Sequence, residues 1–202
     1  MIKNIIFDLG NVLLNFKPLE YMYTKIPEKQ TARQIYKEIF ESEEWIMLDR
    51  GIIAEDEAIK TICDRNIEQS YLIKYVMHNW YQLFTPKEDV IDLLKELKNK
   101  GYKIYFLSNF HLLAFQEIHK RYEFFEYFDG GIVSCEVKFV KPEKEIYKKL
   151  IDTYKIEPNE SIFIDDLKEN IDGATNVEIK TILFTSYLEL RKSLIGYGAL
   201  NN

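Results

Sequence analysis

At 202 residues, 47% of them hydrophobic and 14% aromatic, the chain carries enough apolar material for a sizeable core and lies far from the composition of disordered proteins. Its net charge of −6 offers no overall basic surface for neutralising nucleic-acid phosphates, which excludes that class of partner. No apolar stretch approaches the roughly 20 residues of a membrane span, and the N-terminus runs straight into a strand-like segment, so a cytoplasmic protein with no membrane partner is expected.

The first element is the consecutive apolar run Ile5-Ile6-Phe7, the pattern of a strand covered on both faces, and it ends on Asp8 followed by Leu9-Gly10-Asn11. From residue 15 to 85 the period changes. Ile35 and Ile39, then Ala58, Ile59 and Ile62, then Leu72, Tyr75, Val76 and Trp80 repeat at helical spacing with no strand between them, and Pro18 and Pro86 stand near the two ends. Beyond this insertion, strand-like runs return at Ile104-Tyr105-Phe106-Leu107, Gly131-Ile132-Val133-Ser134, Ile162-Phe163-Ile164 and Thr181-Ile182-Leu183-Phe184. Helices are expected between and after them at 87–100, 111–121, 143–154, 168–176 and 187–195. Gly101 stands where a glycine cap would end the first of these. Strand and helix in alternation predict an α/β fold: a doubly wound parallel, Rossmann-like sheet from residues 1–14 and 86–202, with an inserted helical cap from 15–85. Cys63 and Cys135 are too few and too isolated for a disulfide framework or a zinc site and read as small core residues.

In such a sheet, ligands bind at the C-terminal ends of the strands. Those ends carry Asp8, Ser108-Asn109 and Asp165-Asp166, with Lys141-Pro142 in a loop. Carboxylates, hydroxyl, amide and ammonium together are an inventory for phosphoryl transfer, which depends on positioning and charge stabilisation. Each residue has a plainer use: a capping aspartate, a serine turn, solvated loop acids, or one surface lysine among 27 basic residues. The acidic pair suits magnesium, a hard cation held by one or two carboxylates together with substrate phosphate. Two like charges about 4 Å apart cost roughly 4 kcal/mol at an effective dielectric of 20, so three converging acids need cations. A divalent ion and Lys141 would balance them.

The order of parts resembles the haloacid dehalogenase superfamily: an aspartate strand, a helical cap, a Ser-Asn strand, a Lys-Pro loop and an acidic pair, covering residues 1–14 and 86–184. The resemblance implies Asp8 as a nucleophile that forms an aspartyl phosphate, and Ser108, Asn109 and Lys141 as the phosphate-binding groups. It implies Mg2+ held by Asp8, Asp166, the backbone carbonyl at Gly10 and Asp165, the last directly or through water. Asn170 is a candidate brace for the metal loop, with a helix-start role as the alternative.

Gly10 departs from the pattern, because phosphatases of this superfamily usually carry there the aspartate that protonates the leaving group and then activates water. Losing such a group typically costs about 100- to 10,000-fold in rate. Three explanations are open: an acidic leaving group such as a sugar 1-phosphate, a substitute acid from the cap, or a protein that binds a phospho-ligand without turning it over. The Asp-Leu-Gly-Asn variant resembles a branch that includes glucose 1-phosphate phosphatases and the phosphatase-like domain of some epoxide hydrolases. His111 is a candidate proton donor, though a helix-start histidine is the simpler reading. Trp45, Asp49, Arg50 and Trp80 of the insertion could read the leaving group, but the tryptophans read as core and Arg50 beside Gly51 as a turn, and no residue of the insertion is taken as a site. The function expected is a magnesium-dependent phosphomonoester hydrolase of small phosphorylated metabolites; a 2-haloacid dehalogenase, which needs no metal, is opposed by the acidic pair. No feature sets an oligomeric state.

Overall fold

The computed structural model describes residues 1–201. Five parallel strands form one sheet in the order β5-β4-β1-β6-β7: β1 (Asn4–Phe7), β4 (Lys103–Ser108), β5 (Gly130–Val133), β6 (Ser161–Asp165) and β7 (Lys180–Leu183). Because β1 is central, its C-terminal end lies between the ends of β4 and β6, with Phe7 opposite Phe106 on one side and Ile164 on the other.

Consecutive apolar residues alternate between the two faces of each strand, and both faces are covered. Ile5, Phe7, Ile104, Phe106, Ile162 and Ile164 join one core cluster with Leu94 and Leu97 of α6 (Glu88–Asn99), Ile118 of α7 (Leu112–Arg121) and Leu194 of α11 (Tyr187–Gly196). Ile6, Tyr105, Leu107 and Phe163 join the other, against Tyr147 and Leu150 of α9 (Lys144–Tyr154) and Ile171 of α10 (Lys168–Thr175). A short helix, α8 (Ser134–Val137), follows β5 directly. Gly101 ends α6 at φ +91°, a left-handed conformation natural to glycine.

Between β1 and β4 the chain leaves the sheet through a ribbon of two short antiparallel strands, β2 (Leu14–Asn15) and β3 (Thr85–Pro86). The expected divisions at 14/15 and 85/86 both fall inside this ribbon, and we propose it as the junction of core and cap. Beyond it stand five helices: α1 (Pro18–Lys25), α2 (Lys29–Phe40), α3 (Glu43–Asp49), α4 (Glu55–Arg65) and α5 (Ser70–Asn79). They share a separate apolar core that includes Met22, Ile35, Ile39, Ile59, Ile73 and Val76. The α3 start is capped by the Ser42 hydroxyl, which accepts from the Trp45 N–H at 3.1 Å. Both cysteines are buried free thiols, and no helix among the described residues is long and apolar enough to cross a membrane.

Candidate active site

The parallel pairing brings the acid after β1, the hydroxyl that ends β4 and the acid that ends β6 to one edge of the sheet. Asp8 is buried. Its Oδ1 accepts from the Leu9 N–H at 2.7 Å and the Ser108 hydroxyl at 2.6 Å, and lies 2.9 Å from the Lys141 ammonium. Three donors on one oxygen fix the carboxylate plane and leave Oδ2 without a protein hydrogen bond among the described residues. Lys141 also lies 2.6 Å from Asp165 Oδ2, so one buried ammonium ties two strand ends together. The Lys141–Pro142 peptide that delivers it is cis.

Asp165 is wholly buried and spends both oxygens within the protein: Leu167 N–H donates to Oδ1, and the Asn170 amide reaches both oxygens at 3.0 and 3.1 Å. Asn170 thus serves as a brace from the first turn of α10. Asp166 is half-buried, and one oxygen from each of Asp8, Asp165 and Asp166 lies within 4.8 Å of the others.

Burial pushes the Asp8 carboxyl up to about 7, against the pull of Lys141 and with a further push from Asp165. Burial, then Asp165, raises Asp166 as well. Burial alone would lower the Lys141 ammonium, but Asp8 and Asp165 hold it above its ordinary value. Three converging acids against one ammonium leave a surplus of negative charge that hard oxygen donors can share with a divalent cation, so this residue set fits Mg2+.

The Asn109 side chain is tied to the protein: its Oδ1 accepts from the Lys141 N–H at 2.7 Å and its Nδ2 donates to the Lys141 carbonyl at 3.1 Å, which leaves one amide N–H unspent. The amide clamps the loop that carries the lysine. Gly10 borders the site, and a Cβ built there would meet nothing within 4 Å.

Beside Gly10 and Asn109, on the cap side, lies a cavity of about 90 Å³ walled by Phe16, Trp45, Trp80, Phe84 and Phe110, with His111 and Asp49 completing its lining. His111 caps the start of α7 and is pressed between Trp45 and Trp80, at centroid distances of 4.1 and 5.0 Å. Burial lowers its imidazole to about 3, so at neutral pH the ring is uncharged, and its place at the start of α7 matches the simpler reading of a helix-start histidine. Asp49, which the sequence offered only as one possible reader of the leaving group, ends α3 with its Oδ1 3.4 Å from His111 Nε2. One signal was present. An acid in the last turn of a helix faces the negative end of the helix dipole, a costly position unless something else holds it there.

A family model for haloacid dehalogenase-like hydrolases matches residues 2–177. The sesquiterpene phosphatase astK of Aspergillus oryzae is 27% identical over 198 residues, covering 96% of this chain and 97% of that protein. Bifunctional epoxide hydrolase 2 of Mus musculus is 28% identical over 168 residues, but the match spans only 29% of that longer protein. Among solved structures, the HAD-family enzyme BT-2542 of Bacteroides thetaiotaomicron, in complex with magnesium and inorganic phosphate, is 26% identical with a TM-score of 0.73, covering 92% of this chain and 95% of that one. With the strand order, the helical cap and the converging acids, these matches lead to one conclusion: the chain belongs to the haloacid dehalogenase-like hydrolases.

Proposed function

We propose that this phosphatase-type hydrolase removes the phosphoryl group from a small phosphorylated metabolite through a covalent intermediate on Asp8. The observation that carries the reading is the convergence of Asp8, Asp165 and Asp166 within 4.8 Å, with Ser108 and Lys141 both on Asp8. In it, Asp8 attacks phosphorus with Oδ2, the oxygen that its neighbours leave free. Lys141, with one of its three N–H donors not spent on Asp8 or Asp165, turns it to a phosphoryl oxygen, and the single Ser108 hydroxyl proton passes from Asp8 to another, as this reaction requires. A bound Mg2+, held by Asp8, Asp166 and the Gly10 carbonyl, would supply charge neutralisation between carboxylates and phosphate. Asp165, its oxygens already engaged by Lys141, Asn170 and Leu167, supports that site from behind.

The aromatic walls bear on the substrate. A sugar 1-phosphate suits Gly10 because its leaving oxygen is weakly basic, but five aromatic side chains and a clamped amide offer few partners for sugar hydroxyls. The lining therefore supports a second reading, a compact leaving group with an apolar face, and the likeness to a sesquiterpene phosphatase agrees with it. The test is phosphate release from p-nitrophenyl phosphate, sugar 1-phosphates and short isoprenyl monophosphates, each with magnesium and with chelator. Magnesium-dependent release is expected. Halide release from 2-haloacids in chelator, without phosphatase activity, would overturn the reading in favour of a dehalogenase; tight phosphate binding with no turnover would mark a binding protein.

A further inference from the structure

We propose that Asp49, reaching in from the cap, performs the proton transfers for which Gly10 has no side chain. The inference rests on the phosphatase reading of the site. Asp49 and Gly10 line the same cavity, and the space where a side chain at position 10 would begin is open. The Asp49 side chain is 19% exposed, and among the described residues no N–H or O–H donates a hydrogen bond to its carboxyl; His111 Nε2 lies 3.4 Å from its Oδ1, outside hydrogen-bond geometry. It is a half-buried acid without the partners that a structural carboxylate usually has.

The surrounding chain holds it in place. The Ser134 hydroxyl donates to the Asp49 carbonyl while accepting from the Phe110 N–H, linking the end of α3 to the loop after β4. Arg50 makes a two-pronged pair with Glu143 at 2.6 and 3.0 Å, and Lys138 donates to the Gly51 carbonyl. Gly51 has φ +65°, and a Cβ there would come within 2.2 Å of the Cys135 carbonyl oxygen, so the approach is too close for any larger residue. The cap is latched to the core at the residues that flank the acid.

The titratable groups facing Asp49 are Asp8, Lys141, His111 and Cys135. Burial, opposed by Lys141 and assisted by Asp8, lifts its carboxyl to about 8, which favours the protonated form near neutral pH. In the first step a bond forms between Asp8 Oδ2 and phosphorus as the ester P–O bond breaks, and the Asp49 proton passes to the departing alkoxide, releasing an alcohol. In the second step the Asp49 carboxylate takes a proton from water as the water oxygen bonds to phosphorus and the acyl-phosphate P–O bond breaks. Phosphate leaves, with Asp8 ionised and Asp49 protonated again.

The experiment compares wild type with Asp49→Asn on benzyl phosphate, whose alkoxide needs a proton, and on p-nitrophenyl phosphate, whose phenolate does not. Asp49→Asn is expected to lose about 100-fold or more in kcat/KM on benzyl phosphate. On p-nitrophenyl phosphate it should keep the first step, giving a burst of nitrophenolate equal to the enzyme present and then slow turnover. Adding Gly10→Asp to that variant should restore benzyl phosphate hydrolysis, a rescue that a merely structural role does not give. Equal losses on both substrates without a burst, or an unchanged rate on benzyl phosphate, overturn the proposal. Should Asp49→Asn fail to fold, Asp49→Glu decides: it should keep the wild-type ratio between the substrates, and a collapse of that ratio counts against the role. Full activity in Asp8→Asn would instead remove the underlying phosphatase reading.

Discussion

The acid cluster at the strand ends, a floor, and the aromatic cavity lined by Gly10 and the cap, a roof, are built by opposite rules. On the floor, Asp8, Lys141 and Asp165 are locked by charge-assisted contacts of 2.6 to 2.9 Å contributed from three parts of the sequence. In the roof, rings pack on rings, and buried polar atoms go without partners: both nitrogens of His111 and the indole nitrogen of Trp80. A buried polar group without a partner costs about 1–3 kcal/mol. A floor that must meet a dianion gains from fixed dipoles and charges, whereas a roof that must accept a varied organic group gains from apolar shape with a few polar atoms left free.

The contrast can be broken at four points. The largest effect belongs to the floor: Asp8→Asn should abolish turnover, with loss to background in phosphate release, while the isosteric change leaves the fold intact. Lys141→Ala comes next. Removing one partner of a buried ionic cluster typically destabilises by about 3–5 kcal/mol, and urea unfolding should show a loss of that order. Because the remaining acids then lack their ammonium, added Mg2+ should raise the melting temperature more in this variant than in wild type.

His111→Phe tests the roof, and the sign follows from the lowered imidazole. Its folded-state value of about 3 lies below the unfolded value of 6.5, so the unfolded chain binds the extra proton between these limits. Wild-type stability should therefore fall as pH drops from 6.5 toward 3, by a few kcal/mol. The phenylalanine variant escapes this contribution, and its stability relative to wild type, measured by urea unfolding across that range, should grow as pH falls. An unchanged difference would show that the roof tolerates a charged imidazole. The smallest effect belongs to the latch. The Arg50 and Glu143 side chains are about one-third exposed, so Arg50→Ala should cost under about 1 kcal/mol of stability while raising KM as the cap loosens.

The sheet was legible because each strand is a run of consecutive apolar residues, and a parallel strand buried on both faces leaves that mark. Asp8, Ser108 and Asp165 were legible for a related reason, since a polar residue ending such a run has few places to go but the sheet edge. Asn109 was readable only as a residue type. Whether its amide faces a ligand or clamps Lys141 depends on where the loop before α9 lies, a matter of long-range packing. Asp49 is a similar case. No helical spacing marked residues 43–49 within the insertion, and the relation of Asp49 to Gly10 comes from the docking of α3 against the segment from Ser134 to Glu143, residues far away in sequence. The departure at Gly10 was visible at once, yet the group that answers it lies on another layer of the molecule.

Both passages of the chain between sheet and helices run side by side, Leu14–Asn15 against Thr85–Pro86. Cutting and rejoining there would exchange everything above the acids as one cassette without touching the order of the five parallel strands. Under the role proposed for Asp49, such a graft would carry two properties at once: the shape that admits an alcohol and the proton that lets it depart. In proteins of this plan with glycine at the corresponding position, selectivity and leaving-group activation would then be inherited together, and a foreign lid lacking an acid would convert the enzyme into one that acts only on esters of acidic alcohols.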